Sequence, residues 1–149
     1  MQDIIDELIE KEYWVLDILP EQVPAESPGQ YFAIEEYYLK PPNIDRIYEK
    51  FADILLKLNC YFDFSVIFGD DERIKNPEPE LLGEMVKNCL PDKDSGGKYV
   101  CILIEEEETL ITLTGGDLYM TVYDPSERIM EYINALAQSE GLFFRKPLQ

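Results

Sequence analysis

Three short apolar segments, Tyr99 to Ile104, Thr109 to Leu113 and Leu118 to Tyr123, follow one another with only a few polar residues between them. A parallel pair of strands needs a crossover of about a dozen residues or more, so joins this short make antiparallel neighbours and predict a β-meander. Such a sheet must bury a face against a second layer. The remainder of the chain supplies one. Ile44, Ile47, Tyr48, Phe51, Ile54, Leu55 and Leu58 form a continuous apolar face behind Pro41-Pro42, predicting a helix capped by Asn43 and running to about Leu58. A second helix is expected to open at Asn76-Pro77, with Leu81, Leu82, Met85, Val86 and Cys89 inward. Asp124-Pro125-Ser126-Glu127 reads as a third helix start, with Asp124 as cap, and Gly141 as its close.

Elsewhere Ile4, Ile5, Leu8 and Ile9 predict a short helix over residues 3–11, and the aromatic, β-branched run 13–19 predicts a strand stopped by Pro20. The stretch PEQVPAESPGQ is a long loop, and long loops in compact domains are often functional. Gln30 to Leu39 suits helix or strand, and helix is favoured. Residues 60–68 alternate as a strand, and Leu142 to Arg145 can form a last one. The expectation is a single α/β or α+β domain over residues 1–149: a mixed sheet of about five to six strands, packed helices and a C-terminal antiparallel meander.

Charge narrows the function. Acidic residues outnumber basic ones 31 to 13, for a net charge of -18, and the chain has no histidine. A field of that sign repels nucleic acid and anionic membranes and attracts basic partners. The commonest general base and metal ligand is missing. The three cysteines, Cys60, Cys89 and Cys101, all sit in apolar stretches and read as reduced core residues. The turn over residues 92–97 lacks the ligands of a calcium loop, and Gly96-Gly97-Lys98 lacks the first glycine and the hydroxyl of a phosphate-binding loop. No cofactor is expected. The acidic N-terminus lacks the basic, then apolar, pattern of a signal peptide, and the longest clean apolar run, 99–104, is too short to span a bilayer, so a cytoplasmic protein is expected.

Two regions are candidates for binding. Glu105, Glu106, Glu107 and Glu108 place four negative charges at a hairpin tip, and no lysine or arginine lies between Lys98 and Arg128. This reads as a solubilising tip that guards the sheet edge, or as a contact for a basic partner that relieves the repulsion. From Glu12 to Leu39 there is again no basic residue, and Trp14, Tyr31, Tyr37 and Tyr38 fall there. Most of these aromatics are expected in the core, with Trp14 and Tyr37 the candidate anchors. An alternative reading takes Asp63, Asp70, Asp71 and Glu72, clustered around one strand end, as divalent-metal ligands for hydrolysis. A further one is a structural subunit or adaptor that binds through an aromatic face.

The strings YWVLDILPEQVP, SPGQYFAIEEYYL, FADILLKLNCYFDF and YMTVYDPSERIMEYINALAQSEGLFF, which together span most of the chain, resemble a family of small acidic proteins from gut-dwelling Gram-positive bacteria. The resemblance implies a bacterial, cytoplasmic setting and brings no activity or site residue with it. The closing strand–DPSE–helix–GLFF pattern is loosely similar to small toxin-immunity proteins. The expected function is therefore a non-catalytic acidic binding protein for a basic protein partner, an inhibitor or immunity factor.

Overall fold

The computed structural model of the chain describes residues 2–91 and 97–147. The helices are α1 (Gln2–Leu8), α2 (Tyr31–Leu39), α3 (Asn43–Asn59), α4 (Pro79–Lys87) and α5 (Glu127–Ser139). The strands are β1 (Tyr13–Asp17), β2 (Ser65–Phe68), β3 (Ile74–Lys75), β4 (Tyr99–Ile104), β5 (Thr109–Thr114), β6 (Tyr119–Tyr123) and β7 (Phe143–Arg145). They form one sheet in the order β3-β2-β4-β5-β6-β1-β7. Every pairing is antiparallel. The fold is α+β, and the expected meander is its centre. Among the described residues the sheet is antiparallel throughout rather than mixed, and it has seven strands because a two-residue β3 adds an edge.

Strand periodicity sorts the sheet into two unlike faces. The pairs Ile102 with Ile111, Ile111 with Val122 and Leu16 with Met120 place their side chains on one face. That face packs on α3, α4 and α5 through a core that includes Phe51, Ile54, Leu58, Val86 and Ile133. The amphipathic stripe of α3 is buried along its whole length, from Ile44 to Leu58. On the opposite face α1 covers only one region, where Ile5 and Leu8 meet Leu103 and Leu110. Among the described residues no helix is long and apolar enough to cross a membrane.

Several local expectations are corrected. The helix cap of α3 is Pro42, and the Asn43 side chain instead donates to the carbonyl of Tyr37 at 2.9 Å, tying α2 to α3. Helix α4 starts at Pro79, two residues beyond Pro77, because Ile74 and Lys75 pair with β2. The cap of α5 is Ser126, whose hydroxyl accepts from the Ile129 amide at 3.2 Å, while Asp124 takes a left-handed turn with φ 52°. Residues 60–64 lie outside β2. The polar turn read over 92–97 falls, apart from Gly97, outside the described residues.

Tyr48 of α3 reaches the β5–β6 turn. Its buried hydroxyl accepts from the Gly116 amide at 3.1 Å and stands 2.8 Å from the Asp117 carbonyl, which it can serve as donor. Burial pushes the phenol well above its ordinary range.

The cysteines do not behave as one class. Cys60 is exposed just after α3, contrary to the expected core position, because residues 60–64 turn out of the strand pattern that would have buried it. Cys89 is fully buried, and desolvation pushes its thiol up to about 12. Cys101, partly buried, is raised for the same reason. In a native titration with a disulfide reagent near neutral pH, Cys60 is expected to react first and Cys89 only after denaturation, since the thiolate is the attacking form. Native reaction of Cys89 at the rate of Cys60 would contradict this packing.

Candidate functional site

At the β4–β5 tip, Glu105–Glu107 make a single 3-10 turn, and Glu108 closes it in the left-handed region at φ 50°. Cations remote in sequence reach the tip. The Glu105 carboxylate lies 3.1 Å from Arg73 and accepts from the Ser65 hydroxyl at 3.0 Å. Glu106 accepts from the Asp63 amide at 3.3 Å, and Glu107 lies 3.4 Å from Arg128. The Arg128 guanidinium also sits over the Phe62 ring, 4.9 Å from its centroid. Exposed ion pairs of this kind contribute little to stability, but they screen the charge that a partner would meet. The local repulsion inferred from the sequence is thus partly offset inside the molecule.

The alternative metal ligands are not gathered. Asp63 accepts from the Asn76 amide group at 2.9 Å, Asp70 faces the Tyr99 hydroxyl at 3.4 Å, and all four carboxylates, with Asp71 and Glu72, belong to exposed residues. Among the described residues no three acidic or cysteine side chains converge to hold a metal ion. Trp14 lies half-buried on the helix-bearing face, with the Lys146 ammonium 5.1 Å from its ring centroid. Tyr37 is on α2, its ring edge-on to Tyr38 at 5.3 Å between centroids.

Helix α2 is the unusual element. Its sequence YFAIEEYYL is apolar and aromatic apart from Glu35 and Glu36, yet none of its residues is buried. Phe32 is 76% exposed and Tyr37 59%, and Ile34, Tyr38 and Leu39 are exposed too. The aromatics expected in the core are outside it. The apolar residues favour no single side, so the segment suits helix or strand alike, and burial is the ordinary expectation for a helix this apolar.

Behind α2, the part of the sheet that α1 leaves uncovered forms a cleft of ≈ 570 Å³, closed by the 18–23 segment. Val15, Ile18, Leu19, Val23, Ile34 and Leu118 supply apolar wall, and Tyr13, Tyr31 and Tyr119 supply phenol rings. Its carboxylates are Asp17, Glu21, Glu35 and Asp117, and Arg145 is the one cation among the described lining residues. Arg145 is committed: its guanidinium pairs with Asp17, and its Nε donates to the Leu19 carbonyl at 3.3 Å. The Tyr31 hydroxyl donates to Glu35 at 2.7 Å, which with desolvation pushes that phenol up to about 12. Burial raises Asp117 and Tyr119 above their ordinary values. Sequence reasoning missed this cleft, although charged Asp17 and Arg145 at the ends of otherwise apolar strands were a signal.

The chain matches no protein family, no curated protein and no solved structure.

Proposed function

We propose that the protein is a non-catalytic acidic binding protein that engages a basic protein partner through α2, as an inhibitor or immunity factor would. The observation that carries this reading is a helix rich in aromatic residues with nothing buried. Nine residues are too few for a helix to be stable in isolation, since about 12–15 are needed even for favourable sequences. A large exposed apolar patch ordinarily marks an interface, and aromatic residues dominate the energetics of interfaces. Charge decides the partner's chemistry. Along the sequence the segment from Glu12 to Leu39 carries six carboxylates and no cation; Glu12, Asp17 and Glu36 pair with Lys146, Arg145 and Lys40 from outside it, and the whole molecule's charge of -18 speeds encounter with a basic surface. The Glu105 to Glu108 tip then serves in steering more than in contact.

The test is capture of a basic partner from the source cell on immobilised protein, eluted along a salt gradient and repeated with two variants. A Phe32→Ala/Tyr37→Ala variant, altered only at exposed positions, is expected to bind at least tenfold more weakly, because an aromatic anchor contributes about 2 kcal/mol. Glutamine at positions 105 to 108 is expected to slow association and leave most of the affinity. Equal retention by the α2 variant would refute the reading. Retention that survives high salt would favour the adaptor alternative, which uses the same helix without relying on charge.

A further inference from the structure

We propose that the cleft between α2 and the open sheet face is a second binding site, for an organic cation carried on an apolar stem. Its volume, ≈ 570 Å³, lies within the range of about 300–1,000 Å³ typical of small-molecule sites. The walls of Val15, Ile34 and Leu118 suit methylene groups, not a hydrated ion. Four carboxylates belong to the lining against one guanidinium among its described residues; that guanidinium is held by Asp17 and the Leu19 carbonyl, which leaves Glu21, Glu35 and Asp117 with no cation in the described lining. An anion would therefore meet net repulsion with no available counter-charge. A neutral guest would displace water from carboxylates and return at most a hydrogen bond without a compensating charge. A cation pairs with them, and the rings of Tyr13, Tyr31 and Tyr119 add attraction through their faces. Size, apolar wall and charge agree on one chemistry.

This inference goes beyond the partner reading and does not rest on it. The probes are diaminooctane, octanediol and octanedioate, three guests of similar shape and different charge, titrated calorimetrically into the whole protein. Diaminooctane is expected to bind at least about tenfold more tightly than octanediol, the scale of one close charge pair, and octanedioate not measurably. Amide chemical shifts should move at Tyr31, Asp117 and Tyr119. Asp117→Asn combined with Glu35→Gln is expected to weaken the diamine by about tenfold or more, whereas Glu105→Gln leaves it unchanged. Equal binding of the three guests, or no binding of the diamine, would overturn the proposal without recourse to any variant. A lysine-containing peptide separates the two sources of such a cation: tighter binding than the free diamine points to a protein side chain, weaker binding to a free amine. The Phe32→Ala/Tyr37→Ala variant should keep the diamine, so failure here and failure of the α2 reading are distinct results.

Discussion

Gly115→Ala is expected to destabilise the fold by about 3 kcal/mol or more, at the upper end of overpacking effects. A Cβ at that position would stand 1.6 Å from the Cys89 carbonyl oxygen, 2.6 Å from its carbon and 3.1 Å from the Gly97 Cα. All three are backbone atoms, so no side-chain rotation relieves the clash. Nor can the segments part easily. The Gly115 amide donates to the Lys98 carbonyl at 2.7 Å, and the Lys98 amide donates to the Cys89 carbonyl at 2.9 Å. These bonds hold the residues after α4, the entry to β4 and the exit of β5 in one close crossing. Gly83→Ala is the control. It lies inside α4, an added Cβ meets nothing within 4 Å, and the change should stabilise by about 0.5–1 kcal/mol. Urea denaturation of both variants reads the two opposite signs. A Gly115→Ala midpoint equal to that of the parent would mean that the crossing is looser than described.

Phe51→Ala is expected to cost about 3–5 kcal/mol, the range for a fully buried phenylalanine. Its ring is 0% exposed and packs against Tyr48 at 5.4 Å between centroids, at the centre of the α3–sheet core. The same substitution at Phe32, 76% exposed on α2, should change stability by less than about 0.5 kcal/mol. The pair separates two roles for one residue type in adjacent helices, one holding the fold and the other free for a partner. Thermal or urea melts decide it. A large loss at Phe32 would show that α2 is part of the core, and the partner surface would have to be sought elsewhere.

What the sequence determined by itself was whatever depends on local periodicity. The meander of β4, β5 and β6 was legible because short joins exclude crossovers. Helix α3 was legible because its apolar residues repeat at 3.6 and nothing else satisfies that spacing. The start of α5 was right to within two residues, but the choice between Asp124 and Ser126 as cap turned on a backbone angle that residue types do not specify. Helix α2 stayed ambiguous because it has no buried side, and a buried side is what periodicity reports.

Tertiary structure alone decided strand order, the charge balance at the tip and the existence of the cleft. β1 lies between β6 and β7, so the β7 edge of the sheet joins distant parts of the chain, Tyr13–Asp17 and Phe143–Arg145. Arg73 and Arg128 reach Glu105 and Glu107 only because β2 and α5 flank the β4–β5 hairpin. The ion pair at the cleft joins Asp17 to Arg145 across 128 positions. A pattern in sequence records which side of an element is apolar, but it has no term for which other element arrives there. Electrostatic and cavity geometry arise from those arrivals, so the face of the sheet that stays open was set by packing.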